Sequence, residues 1–145
     1  MIRAEDGDLA DALNSLSLPE GALVFVANSA LSDGWTAVLN ELTAAYELSQ
    51  TAVKVGGPIV YLVEGDDLLG RRGAGRAMVA CGLLSAARTL ALETARAGVP
   101  VNVIAMGATT THDALGSWVE LLCGPGGPNG ELIRLGADHL GKALP

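Results

Sequence analysis

Aromatic residues are nearly absent from this 145-residue chain, which holds one phenylalanine, two tyrosines and two tryptophans. Proteins that stack nucleic-acid bases need aromatic platforms, and none can be assembled here. Basic residues are scarce as well: nine Lys and Arg stand against 16 Asp and Glu, a net charge of −7. Such a chain stays soluble but repels phosphate backbones and anionic headgroups, so neither nucleic acid nor a membrane surface is expected as a partner. Only Cys81 and Cys123 carry thiols. Both fall in apolar, helix-patterned surroundings, and their spacing fits neither a metal knuckle nor a redox pair, so reduced, buried thiols are expected. The N-terminus, MIRAEDGDLADAL, is acidic where a secretory signal would be basic and then apolar, and the expected location is cytoplasmic. The strongest apolar stretch, Ala77 to Ala87, ends at Arg88, short of the roughly 20 residues that a membrane span requires.

What the chain has in abundance is hydrophobic residues, 50% of the total, together with 19 glycines. Its length suits one domain. Strand-like runs recur at Leu23 to Ala27, Ile59 to Val63, Val101 to Ala105 and Glu131 to Leu135, with helical pattern between them. The first three are apolar throughout, as in strands covered on both faces of a parallel sheet. The expected fold is therefore α/β: a three-layer, Rossmann-like or flavodoxin-like sandwich with a small parallel sheet of about four strands in chain order. Helices are expected at Asp8 to Leu16, Trp35 to Lys54, Gly75 to Ala97 and His112 to Leu122. The Trp35 helix is amphipathic, with Val38, Leu42, Ala45, Leu48 and Ala52 on one face. The Gly75 helix is apolar all round until Arg88. One sheet face cannot cover it, so its outer side is expected to pack against another subunit, with burial by the protein's own helices as the alternative. No repeat, linker or low-complexity segment interrupts this rhythm.

The stretch LSAARTLALETARAGVPVNVIAMG (Leu84 to Gly107) is similar to the short-chain dehydrogenase/reductase segment in which a helix reading "sLAlElap-GirVN" leads into "VNaIaPG". Three further segments match in the family's order: LNELTAAYELSQTAV (Leu39 to Val53) resembles "vNLtg-f-lsqaa", Gly56 to Gly65 resembles "GgrIVnisS", and Gly130 to Gly141 resembles the closing "Gq-l-vDGG". The resemblance spans roughly Ala22 to Gly141 but corresponds only to the second half of a full family member. It implies a Rossmann-like fold. The first half, which in the family supplies the glycine-rich turn for the cofactor pyrophosphate, has no counterpart here, so no NAD(P) cofactor is expected.

The residues that the family uses for chemistry are also replaced. Its paired asparagines fall on the segment Phe25, Val26, Ala27, Asn28, and its helix asparagine falls on Glu41, next to Asn40. Its serine falls near Val63 and Glu64, and its tyrosine and lysine fall on Arg72 and Arg76. In the family the tyrosine donates a proton near neutral pH because the lysine lowers its pKa. An arginine stays protonated and cannot relay that proton. No catalytic residue is assigned on this basis, and the resemblance points to a degenerate, non-catalytic relative acting through association. Such a protein would form a homodimer, or a hetero-oligomer with an active dehydrogenase, through the helices at 35–54 and 75–97. Oxidoreductase activity, alone or as a subunit, is the alternative.

One constellation invites a third reading. In GRRGAGR (Gly70 to Arg76), the side chains of Arg71, Arg72 and Arg76 and the backbone at Gly73 and Gly75 open a helix, an arrangement able to hold a phosphate or carboxylate. The glycine spacing matches neither GxGxxG nor a P-loop. Glu64, Asp66 and Asp67 stand close enough in sequence to neutralise the arginines on a solvated loop. Elsewhere, the sequence TTTHDAL reads as a threonine-capped helix start at His112 and Asp113. In the family this loop covers the nicotinamide, and Thr110 or Thr111 would be the relic of that contact, with Met106 in place of the proline. Asp138 and His139 have no partners at metal-ligand spacing, no metal site is expected, and Ser29, Ser49 and Ser85 lack a nucleophile-elbow context.

Finally, a strand as apolar as Leu23 to Ala27 cannot stand at a sheet edge. Either the N-terminal residues or another chain must cover it.

Overall fold

The computed structural model describes residues 1–137. The expected α/β sandwich is present, and its sheet is wholly parallel, with strands β1 (Ile2–Arg3), β2 (Leu23–Val26), β3 (Ile59–Glu64), β4 (Val101–Met106) and β5 (Leu132–Leu135) lying side by side in that order. The helices are α1 (Gly7–Asn14), α2 (Trp35–Lys54), the single turn α3 (Gly65–Leu68), α4 (Ala74–Thr94) and α5 (His112–Cys123), and a 3-10 turn at Ala95–Ala97 extends α4.

The sheet has five strands rather than about four. The extra one is β1, whose Ile2 and Arg3 pair with Val24 and Phe25 and so cover the edge that β2 would otherwise expose. Two residues are too few to leave a periodic signal. They are held in addition by Arg3, which grips the Glu41 carboxylate of α2 with both terminal nitrogens, Nη1 at 2.7 Å and Nη2 at 2.6 Å, and pairs with the exposed Glu5 at 2.9 Å. The same guanidinium donates to Val26 O and lies 4.8 Å from the centre of the Phe25 ring. Glu41, only 4% exposed, also accepts the Asn28 backbone N–H at 2.8 Å. One carboxylate thus fixes the edge strand, the helix and the loop after β2.

Side chains alternate between two cores. Leu23, Phe25, Ile59, Tyr61, Val101 and Val103 face α2 and α4, while Val24, Val26, Val60, Leu62 and Ile104 face α1 and α5. This is why β2, β3 and β4 read as unbroken apolar runs. Successive strands always step the same way across the sheet, so connections that pass over opposite faces must have opposite hand. One pair of the four crossovers, through α1 and α5 or through α2 and α4, therefore departs from the right-handed rule.

By length and composition the helix from Ala74 to Ala97 could cross a membrane, but here it packs Val79, Leu83, Ala87 and Ala91 on the sheet as a core helix. The thiols differ from the expected buried pair. Cys123 is buried, and burial pushes its pKa up to about 11, whereas Cys81 is exposed on the outer face of α4.

Removing the Glu41 carboxylate leaves the Asn28 N–H without its acceptor and leaves half-buried Arg3 with only Val26 O and the exposed Glu5. Glu41→Ala is expected to cost roughly 3 kcal/mol, read as a lower midpoint in urea unfolding, with α2 still helical by circular dichroism.

Candidate functional site

In a parallel sheet, crevices open at the carboxyl ends of neighbouring strands whose chains leave for opposite faces. Here that happens between β1 and β2, where α1 and α2 part, and between β3 and β4, where α4 and α5 part. A cavity of about 330 Å³ lies at the first place, between Glu5, Asp6 and Leu9 on one wall and Ala27 to Ala30 on the other. A smaller one of about 150 Å³ lies beyond β3 and β4, lined by Glu64, Arg72, Met106, Gly107 and Arg134. Glu64 and Met106 border both, so the two open onto a common centre at the end of β3.

Glu64 is the group that stands there. Its loss of water raises the carboxyl pKa above the ordinary value, Arg72 opposes that rise, and Asp67 and Asp66 add to it. Arg72 reaches Glu64 Oε2 at 3.5 Å and Asp67 Oδ1 at 3.6 Å, both at ion-pair range but too long for good hydrogen bonds. It donates instead to Ser29 O at 3.2 Å. Asp67 is buried, and its pKa is raised chiefly by burial, against the pull of Arg72 and Arg76; its Oδ1 accepts no hydrogen bond.

The glycine and arginine loop comes apart into separate jobs. Arg71 leaves the crevice and pairs with Asp66 on the surface at 2.9 Å. Arg76 Nε donates to Leu31 O. The helix N-terminus itself is occupied, because Gly75 N–H donates to Asp33 Oδ1 at 3.0 Å. The two glycines make room for that contact: a Cβ on Gly75 would lie 2.9 Å from Asp33 Cα, and one on Gly73, whose φ is +113°, would lie 2.7 Å from Asp33 Oδ1. The chain supplies its own anion where a phosphate or carboxylate would bind, and Arg72, Gly75 and Arg76 together clamp the loop from Ser29 to Asp33. The spacing of Gly73 and Gly75 was the only signal of this close approach, and Asp33 is invisible without the fold.

The other expected residues divide in the same way. Phe25 and Val26 are buried in β2. Thr110 Oγ1 accepts from Gly107 N–H and donates to Leu135 O, tying the end of β4 to β5, and Thr111 caps α5 by accepting from Ala114 N–H. Asp138 and His139 lie outside the described residues. Among the described residues, no three His, Cys, Asp or Glu side chains gather as a metal site.

A dinucleotide does not fit this crevice. The turn after β1, where a pyrophosphate would meet backbone amides, carries Glu5, Asp6 and Asp8, and the Asp6 carboxylate already accepts the N–H groups of Asp8 and Leu9. A second anion there would face like charge and find those two amides taken.

An all-parallel sandwich with crevices at the strand ends is the fold of short-chain dehydrogenase/reductases, and solved structures of that class superpose on the chain. 3-Hydroxyacyl-CoA dehydrogenase type-2 from Mycobacterium avium matches 79% of this chain and 65% of its own, with a TM-score of 0.68 and 16% identity. Acetoin dehydrogenase from Enterobacter cloacae matches 79% and 63%, at 0.64 and 20%. 4-Hydroxyisoleucine dehydrogenase, solved with NADH and succinate, matches 77% and 65%, at 0.64 and 15%. The chain thus spans less than two thirds of each of these structures, and at such identities the likeness is one of fold. No family model and no curated protein matches the sequence.

Because the folded-state pKa of Glu64 is raised, the native state holds this proton more tightly than the unfolded chain, and stability falls as pH rises from the ordinary carboxylate range through the raised value. Glu64→Gln removes that loss. Its stability relative to the parent is expected to be greater at pH 7 than at pH 4, measured by urea unfolding at both.

Proposed function

We propose that this chain acts by association, as a non-catalytic short-chain dehydrogenase/reductase-like protein that forms a homodimer or serves as a regulatory partner of an active dehydrogenase, in the cytoplasm. The observation that carries this reading is the outer face of α2 and α4. Trp35 and Tyr46 are each 65% exposed and Leu92 is 81% exposed, with Leu39 and Met78 about half exposed between them. Five large apolar side chains on one pair of adjacent helices form a patch of the kind that soluble monomers avoid. The α4 face between Met78 and Leu92 is built of Cys81, Gly82, Ser85 and Thr89, small residues that let another helix approach closely. The replacements in the crevice agree with it, since Arg72 can stabilise charge but cannot give up a proton.

A second reading keeps the chain in oxidoreduction, as a subunit of a dehydrogenase. The crevice at the strand ends favours it, together with Glu64, a carboxyl group of raised pKa standing where the family's serine would fall. Since the β1 turn does not fit a dinucleotide, this reading needs the cofactor site from another chain. Turnover by the purified chain with NAD(P)H would establish it over the first.

Light scattering after size exclusion at micromolar concentration is expected to give twice the 14.7 kDa of one chain. The double variant Met78→Glu, Leu92→Glu should shift it to one chain with its far-UV spectrum unchanged. A monomeric parent that also fails to join an intact short-chain dehydrogenase overturns the association reading.

A further inference from the structure

The cavity of about 150 Å³ beyond β3 and β4 has four charged side chains in its lining: Glu64, Asp66, Arg72 and Arg134. Asp66 has its partner outside the lining, in Arg71 at 2.9 Å. Arg72 stands between Glu64 at 3.5 Å and Asp67 at 3.6 Å, so one guanidinium serves two carboxylates. Asp67 is only 4% exposed, and a buried charge is the costlier one to leave unpaired, which assigns Arg72 to it. Glu64 is then a carboxylate in excess. Arg134 is the converse, an exposed guanidinium with no hydrogen bond or ion pair among the described residues. It stands on the other flank of the cavity: Glu64 ends β3, Arg134 lies on β5, and β4 runs between them. The lining between the two is mostly small, with Ala105, Gly107, Ala108 and Gly136.

We propose that this cavity binds a small zwitterion, an amino acid the size of glycine or alanine, with its ammonium group on Glu64 and its carboxylate on Arg134. This goes beyond the association reading and does not depend on it. One unmatched charge of each sign on one cavity selects a ligand that carries both. A simple carboxylate would meet Arg134 but face Glu64 as a like charge, and a simple amine would meet Glu64 but face Arg134. The loss of water that raises the Glu64 carboxyl pKa is the deficit that an ammonium group makes good. Arg134 presents the planar fork that suits a carboxylate. The volume sets the size, since about 150 Å³ equals the liquid volume of about five waters. That holds roughly the five or six non-hydrogen atoms of glycine or alanine and excludes a long side chain.

Titration of the isotope-labelled chain with glycine at constant ionic strength, followed through the backbone amides by NMR, tests this. Saturable shifts are expected at Gly107 and Gly136, with acetate and methylamine each binding about tenfold more weakly than glycine. Glu64→Gln and Arg134→Gln should each weaken glycine about tenfold with the far-UV spectrum unchanged, whereas Arg71→Gln, whose side chain leaves the cavity, should bind as the parent does. Acetate binding as tightly as glycine, and more tightly still to Glu64→Gln, would make this an anion site and overturn the proposal. It also fails if glycine gives no saturable shift, if either cavity variant binds glycine like the parent, or if Arg71→Gln loses as much as Arg134→Gln. The comparison of glycine, acetate and methylamine on the parent decides the matter even where a variant does not fold.

Discussion

The Arg3–Glu41 pair is the side-chain link that ties the β1 edge of the sheet to α2. β2 is buried along its whole length and cannot stand as an edge, yet the strand that covers it is two residues long and contributes little pairing of its own. The guanidinium compensates by reaching past the backbone to a carboxylate on the next helix. Glu41 then joins three elements: the edge strand, α2 and the turn after β2. The Glu41 carboxylate is thus spent on structure: both oxygens meet Arg3, and one also accepts the Asn28 N–H.

Several polar groups around the crevice are likewise engaged within the chain. A helix N-terminus that could hold a phosphate holds Asp33, an arginine that could meet a substrate holds Ser29 O, and a threonine beside the end of β4 fastens two strands. Glu64 and Asp67 stand beside the crevice with charges that Arg72 matches only at 3.5 and 3.6 Å. The outer face of α2 and α4, by contrast, keeps exposed side chains that no internal contact explains. Exposed apolar side chains thus gather on the helices, while the weakly matched carboxylates stand at the strand ends.

Much of this was legible from the amino acids. Unbroken apolar runs place β2, β3 and β4 and identify the sheet as parallel, and α2 begins and ends at the expected residues. The question left open at the edge of Leu23 to Ala27 was real, and the N-terminal residues answer it. What could not be read has a common cause, which is distance along the chain. Arg3 and Glu41 lie 38 residues apart and Asp33 and Gly75 lie 42 apart, and no local period links them. α2 reads as amphipathic because Val38, Ala45 and Ala52 point inward. Its exposed Trp35, Leu39 and Tyr46 occupy positions where that pattern leads one to expect polar residues, and only burial separates the two sets.

The strand order has a consequence for how such a sheet is made. In a doubly wound sheet whose order reverses, the first strand ends at the centre with one flank open until much later residues arrive. Here order in space and order in the chain coincide. As the polypeptide leaves the ribosome, each new strand finds its neighbour already synthesised, and no finished segment has to wait for a distant one. The cost of this vectorial assembly is borne by the helices, which must cross by routes of opposite hand to clothe both faces.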